Sequence, residues 1–328
     1  MSTDSSVIKR AEVDPVVSAI IPAYEAAEFI AEALDSVFAQ TFTGYEVIVV
    51  NDGSRDTDAL ERVLEPYRKR IIYIRQENRG PGGARNTGIL KARGEYLAFL
   101  DSDDAWLPCY LAEQIRILRA DPNPDLIYSD ALLFGQSVPA GQTFMQTAPS
   151  HGTVTVESLV RSQCSVITSG TVARRQSVID AGLFDESFMR SEDFDLWLRM
   201  ADCGYRLSYH KKVIARHRMR AGSLNTDLDQ MLLSQIRVLT EFADARSFPP
   251  GLSDAIDMQI LHCRALLSLE QSKRHLTAGE YAQARLLLEQ ANSFSQSAKL
   301  KVILACLRIA PFLVRFLYRS RDRFLLGS

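Results

Sequence analysis

Gly94-Glu95-Tyr96-Leu97-Ala98-Phe99-Leu100-Asp101-Ser102-Asp103-Asp104-Ala105-Trp106 joins a short apolar run to three carboxylates within four positions. Tyr96 to Leu100 reads as a buried strand. Like charges as close as Asp101, Asp103 and Asp104 repel, and each loses hydration when the strand end is covered. The arrangement therefore costs stability unless a cation offsets it. Hard oxygen ligands suit Mg²⁺ or Mn²⁺, ions that commonly hold the phosphates of a nucleotide. The same residues also suit a solvated acidic turn that caps the following helix.

Upstream of this stretch the pattern repeats. Val16 to Ile21, Tyr45 to Val50 and Ile71 to Arg75 read as strands. Helical spacing over Ala26 to Gln40, Asp58 to Tyr67 and Asn86 to Lys91 separates them. Alternation with short connections predicts an α/β fold with a mainly parallel sheet. Ligands bind beyond the carboxyl ends of such strands, where the polar clusters at 22–25, 51–54 and 101–104 all fall. Downstream, helices are expected at Tyr110 to Leu118, Arg175 to Ala181 and Asp195 to Ala201, and extended chain at Leu126 to Tyr128 and Arg206 to Ile214. Gly135 to Gly152 lacks periodicity and reads as a mobile loop. From about Asp227 the chain looks all-helical. Gly279-Glu280-Tyr281 and the alanines and leucines after it resemble one tetratricopeptide unit, but a single copy reads better as a plain hairpin.

The 328 residues allow one large α/β domain and a smaller one, with 46% hydrophobic and 24% charged residues, as in an ordinary globular protein. A formal charge of −2 gives no reason to expect nucleic acid as a partner. Five cysteines without CxxC spacing argue against a disulfide framework or zinc site and for a reducing cytosol. Met1 to Asp14 is polar, without the apolar core of a signal peptide, and is expected to be flexible.

The C-terminus differs. Residues 299–328 carry seven cations against Asp322 alone, a local charge of +6, interleaved with aliphatic and aromatic side chains. No stretch there is long enough without charge or proline to span a bilayer. The pattern suits helices lying in an anionic membrane surface, or a helical hairpin docked on the body with its basic edge in water.

Five blocks, in order, carry a family resemblance: Ser18 to Glu25, Glu46 to Ser54, Glu77 to Asn86, the Asp101 cluster, and Gly182 to Glu186 with Ser191 to Trp197. Over about residues 16 to 225 the chain resembles the family 2 glycosyltransferases, inverting metal-dependent enzymes of the GT-A fold. The resemblance implies a GT-A-type mixed, mainly parallel sheet flanked by helices over 15–226; apolar spacing and charge add a helical region over 227–298 and basic amphipathic helices over 299–328. It implies a hexosyltransferase-type enzyme. The donor would be a nucleoside diphosphate sugar, a UDP-sugar first, with GDP- and dTDP-sugars not excluded. The acceptor would be a hydroxyl of a glycan or lipid-linked saccharide. With its cysteine content and basic apolar tail, such an enzyme is expected in the cytoplasm, in peripheral contact with the inner face of the membrane.

Each block then has a task. Pro22, Ala23 and Tyr24, with Glu25, offer backbone groups and an aromatic face to a nucleobase. The resemblance places Asp52 on the base or ribose; read locally, Asn51-Asp52-Gly53 also suits an Asx-turn. Arg79 and Arg85, among the glycines at 80, 82 and 83, resemble a donor-lining loop, while a purely structural turn fits the same residues. Asp101, Ser102 and Asp103 form the family's Asp-x-Asp, one carboxylate on ribose and another on the divalent ion. The sequence leaves open whether Asp103 or Asp104 is the main ligand. Glu192-Asp193 matches the pair that carries the general base, with Asp193 the candidate and also a plausible helix N-cap; Glu192 either orients it or points to solvent. Arg218 fits the family's arginine, but Arg220 stands where a histidine is usual. An arginine cannot ligate a metal and can pair with a diphosphate; alternatively His217 does the work. Two rivals remain: a nucleotidyltransferase, disfavoured because Pro22-Ala23-Tyr24 replaces a glycine-rich basic signature, and a non-catalytic nucleotide-sugar-binding protein.

Overall fold

A computed structural model describes residues 14–120, 124–136, 138–220 and 227–325, the side chains of 319–325 excepted. The expected flexible segment 1–13 and the Gly222 to Asn225 end of the fifth block's sequel lie outside the described residues.

Eight strands form one sheet: β1 (Val17–Ala23), β2 (Tyr45–Asp52), β3 (Ile72–Gln76), β4 (Tyr96–Phe99), β5 (Ala105–Trp106), β6 (Leu126–Gly135), β7 (Thr171–Arg174) and β8 (Leu207–Met219). Their order is β3-β2-β1-β4-β7-β6-β8-β5. The first four are mutually parallel, β7 runs antiparallel to both neighbours, and β8 is parallel to β6. The mixed, mainly parallel sheet agrees with the expected α/β architecture.

Side-chain alternation along the parallel strands splits the core in two. Ile20, Ile48, Val50, Leu97 and Phe99 point to one face; Ala19, Ile21, Val47, Val49, Ala98 and Leu100 point to the other. The second face is covered by α1 (Ile30–Phe38), α2 (Thr57–Leu64) and α4 (Tyr110–Ala120), through Leu34, Val37, Leu60, Leu64 and Ile115. The first is covered by α3 (Gly80–Lys91). Three short helices follow, α5 (Phe144–Thr147), α6 (Val156–Val160) and α7 (Arg175–Asp180), and then α8 (Glu192–Asp202), which buries Leu196 and Trp197 on that same face. Strands covered on both sides explain why they read as continuous apolar runs.

The helical region comprises α9 (Leu228–Asp244), α10 (Pro250–Ala278), α11 (Tyr281–Ser295), α12 (Ala298–Ile309) and α13 (Pro311–Leu325). Its division from the sheet domain differs from the expected boundary at 226. Val238, Leu239 and Phe242 of α9 and Ala255, Ile256 and Ile260 of α10 join the core of the sheet domain. A separate small core begins only further on, where Leu276, Ala284, Leu288, Leu304 and Leu307 meet. Apolar periodicity names the buried face of a helix, not the surface that buries it.

Three local readings change. Helix α1 begins at Ile30 rather than Ala26, because Ala27 N donates to Asp56 Oδ2 at 2.9 Å and holds the preceding turn open. Helix α3 begins at Gly80, six residues before Asn86, with Pro81 in its first turn, where a missing N–H is harmless. The segment 135–152 is not structureless: Thr143 and Gln146 form a capping box that starts α5, a signal readable as Thr-x-x-Gln.

Strand β8 outruns its expected end at Ile214, reaching Met219 through register shifts opposite Asp130. Before the shifts lies His210, whose Nε2 faces Gln114 Oε1 at 3.2 Å while Nδ1 accepts from Lys212 N at 3.3 Å. Both ring nitrogens are thus used by a neutral imidazole. Burial, then Lys212, push His210 down to about 4. A folded pKa below the unfolded value stabilises above pH 6.5 and is lost as pH falls from 6.5 to 4, by up to about 3 kcal/mol. In His210→Gln this part of the acid dependence of stability should vanish; identical acid profiles for variant and wild type would refute it.

Candidate functional site

The adjacent parallel strands β2, β1 and β4 end together, and their ends build the site. Beyond β2, Asn51 Oδ1 accepts from Ser54 N at 2.9 Å, so the Asx-turn belongs to Asn51 and not to Asp52. Asp52 is buried and points across to β3, where its Oδ1 accepts from Gln76 Nε2 at 2.7 Å and from Arg79 N at 2.9 Å. Beyond β1, Pro22 and Ala23 lead to the exposed Tyr24 and to Glu25, whose N donates to Ser54 Oγ at 2.6 Å. Glu25 has φ of 50°. Pro22, Ala23, Tyr24, Glu25 and Asp52 thus share one edge of the strand ends.

The glycines after Arg79 serve packing. A Cβ on Gly83 would stand 2.5 Å from Arg79 Cβ, and one on Gly82 would press Phe184 Cβ at 3.3 Å. Arg79 forks onto Glu186 at 2.9 and 2.5 Å, and Asn86 exchanges hydrogen bonds with the backbone N and O of Phe184. Helix α3 is thereby clasped to the Gly182–Glu186 block. Arg79, expected as a donor ligand, makes this clasp.

Arg85 changes role most. Its guanidinium, only 6% exposed, donates to Glu192 Oε1 and to Asp101 Oδ1, each at 2.6 Å. It is therefore not a solvent-facing donor ligand. It ties the end of β4 to the start of α8, which lie 91 residues apart in the chain. Glu192 is buried against it and does not point to solvent. Burial, and then the Asp193 charge, push the Glu192 carboxyl up to about 7, with Arg85 only partly offsetting them.

Asp193 lies in the first turn of α8 but is not its N-cap; that position is Ser191, in the left-handed region at φ 58°. Backbone strain of this kind costs on the order of 1–3 kcal/mol and gathers at sites where geometry is over-determined. Thr168 Oγ1 donates to Asp193 Oδ2 at 2.7 Å and Phe194 N to Oδ1 at 2.8 Å. Thr168 sits beside Ser169, whose Oγ accepts from Asp101 N at 3.1 Å. Thr168 and Ser169 stand outside every motif in the sequence, and Asn86 and Glu186 carry no assigned task within theirs. A lone hydroxyl far from its partner carries no pattern to find it by.

The acidic turn resolves into three different carboxylates. Asp101 takes Arg85. Asp104 is buried, its Oδ1 accepting from Arg218 N at 2.7 Å and its Oδ2 meeting His217 Nδ1 at 2.8 Å. It braces β8 and is not disposed as a metal ligand. Burial opposes the charged form of His217, but Asp104, with Asp101 and Asp103 beyond, outweighs it and lifts the imidazole to about 9. Asp103, beside the partly exposed Ser102, meets Arg220 Nε at 2.8 Å. Burial and then Asp104 raise the Asp103 carboxyl above its ordinary value despite Arg220.

Arg218 is held on another side. It donates from Nε to the Asp103 carbonyl at 2.8 Å, pairs with Glu32, and lies over the Phe29 and Phe134 rings. A diphosphate contact is expected of this arginine from the sequence; here protein groups engage its guanidinium. Much of the charge on this turn is thus met by Arg85, His217 and Arg220. No group of three acidic, histidine or cysteine side chains disposed as a metal cage exists among the described residues. An ion held by one carboxylate together with substrate phosphates and water would fit this donor set, Asp103 being partly exposed beside Arg220.

The glycosyl transferase family 2 model matches residues 18–137. The chain is similar to the succinoglycan biosynthesis protein ExoO of Rhizobium meliloti, at 32% identity over 92% of this chain and 84% of that one. Among solved structures it resembles S. aureus TarS 1-349 in complex with UDP-GlcNAc, with a TM-score of 0.60 at 22% identity over 94% of this chain and 91% of that one. It also resembles the mannosyltransferase PcManGT of Pyrobaculum calidifontis in complex with GDP-Man and Mn²⁺, with a TM-score of 0.59 at 20% identity over 95% and 88% of the two chains.

Proposed function

The chain belongs to glycosyl transferase family 2, and on that premise we propose that it moves a sugar with inversion from a nucleoside diphosphate donor to a hydroxyl of a growing glycan or lipid-linked saccharide. The observation that carries the reading is the Arg85 bridge, which holds the Asp101 turn and the Glu192-Asp193 pair in one site. A donor turn and a base must face the same sugar from opposite sides for a single in-line displacement.

In this reading Asp52, with Pro22, Ala23 and Tyr24, receives the nucleoside; Asp101 and Ser102 lie toward the ribose. The acceptor hydroxyl gives its proton to Asp193, which Thr168 holds in place. The acceptor oxygen bonds to the anomeric carbon as the bond to the diphosphate breaks, and the diphosphate leaves with the electron pair. Arg220, its Nε on Asp103, stands where a guanidinium offsets that charge. Asp103 would hold the divalent ion, Mn²⁺ or Mg²⁺, which when bound supplies further neutralisation of the leaving diphosphate. UDP-sugar is the first donor to try, GDP-sugar the second, since the two similar structures hold one of each. The name of the Rhizobium meliloti relative favours a polysaccharide as the product.

Calorimetric titration with UDP and GDP, with Mn²⁺ or with EDTA, tests the donor half. Asp103→Ala is expected to weaken metal-dependent nucleotide binding by about tenfold or more. Unchanged affinity in EDTA and in the variant would remove the ion from the reading. Nucleotide binding without transfer or donor hydrolysis would instead favour a binding protein, the reading that the Asp103–Arg220 pair encourages. A panel of nucleotide sugars screened by thermal stabilisation identifies the sugar, since a ligand of the folded state raises its stability.

A further inference from the structure

Helices α12 and α13 are docked on the helical core by one face only. Leu304, Leu307, Val314 and Tyr318 turn inward, at the three- and four-residue spacing of a single helical stripe. This is the docked hairpin that the basic C-terminal sequence allowed. The opposite face is also apolar: Ile309 is 85% exposed, Phe312 69% and Leu317 60%, with Leu313 between them. Phe312 and Leu313 each recur four residues on, at Phe316 and Leu317, so the outward apolar arc continues for another turn.

Large apolar side chains gathered on water are uncommon and mark a contact surface. Charge says which kind. Residues 299–328 hold +6, and with −2 overall the remaining 298 residues hold −8. Of the described cations in this segment, Lys299 and Lys301 on α12 are exposed, while Arg308 pairs with Glu289 at 3.1 Å and Arg315 lies against Gly279. Two copies of so basic a face would repel each other, which disfavours self-association through it. None of the helices among the described residues is long and apolar enough to cross a bilayer.

We propose that the outward face of α12–α13 seats the protein on an anionic lipid bilayer, the helices lying in the headgroup layer with Ile309, Phe312, Leu313 and Leu317 dipped into it. The exposed Lys299 and Lys301 meet the lipid phosphates. This binding is independent of the donor chemistry, since it uses neither the strand ends nor α8.

Flotation of the full chain with phosphatidylcholine vesicles, with and without phosphatidylglycerol, tests the proposal. Binding is expected only with the anionic lipid and is expected to weaken as salt rises. Phe312→Ser with Leu313→Ser should lower partitioning by at least about tenfold. Lys299→Glu with Lys301→Glu should lower it by at least about tenfold. Circular dichroism and nucleotide binding of each variant should match wild type, since all four side chains are exposed. Failure to float, equal partitioning into neutral vesicles, or full binding by the serine variant would overturn the proposal. So would a wild-type dimer that the serine variant dissolves and that does not float.

Discussion

Asp193→Asn is expected to leave donor binding intact and to cut glycosyl transfer by roughly 10²- to 10⁴-fold, the range a positioned general base contributes. The substitution isolates proton acceptance from structure. An asparagine carbonyl still accepts the hydrogen bond from Thr168 Oγ1, made now at 2.7 Å to Oδ2, so α8 keeps its start. What the amide lacks is the capacity to take the acceptor's proton at neutral pH. Nucleotide affinity by calorimetry and transfer under saturating donor separate the two. Turnover near that of wild type would dismiss Asp193 as the base, and the neighbouring Glu192 could not inherit the task while Arg85 covers it.

Arg85→Leu is expected to destabilise the fold by about 3–5 kcal/mol, the cost of stripping the partner from a buried charge. Two carboxylates lose their cation at once, and Glu192 is almost wholly buried. Glu192 already titrates near 7; without Arg85 it is driven higher still. A carboxyl raised above its unfolded value favours the folded state while protonated and loses that contribution as pH rises through the folded value. The deficit of the variant should therefore be smallest in acid and grow toward alkaline pH. Adding Glu192→Gln to Arg85→Leu removes the stranded charge, so the double variant should be less damaged than the sum of the singles by at least about 1 kcal/mol. Urea denaturation at several pH values measures each corner of this cycle. Strict additivity, or a deficit independent of pH, would show that the bridge carries no such coupling.

How the acidic turn was read illustrates what sequence reasoning sees. Three aspartates at a strand end look uncompensated because their partners lie far off in the chain: Arg85 precedes Asp101 by 16 residues, while His217 and Arg220 follow Asp104 and Asp103 by 113 and 117. The choice between Asp103 and Asp104 was undecidable for the same reason. Only the register of β8 beside β5 and β6 shows that Asp104 braces the strand. A positive charge in a motif does not say which negative charge it faces; Arg85 meets Asp101 and Glu192, and Arg220 meets Asp103. The glycines of α3 were legible as sites of close approach. That the approach is to Arg79, Phe184 and Glu192 rather than to a ligand emerged from the packing.

The sequence by itself determined the alternation of strands and helices, the placing of polar clusters at strand ends, the family, and the segregation of basic and apolar residues at the C-terminus. All of these are periodic or local, and short-range sterics and hydrophobic burial impose them on consecutive residues. Tertiary structure alone decided which cation each carboxylate of the acidic turn meets, that Arg85 joins two distant blocks, that Thr168 holds Asp193, and where the sheet domain's core ends within α10. Those depend on desolvation and on pairing across the fold, and an electrostatic partner is chosen by distance in space, which the order of residues along the chain does not encode.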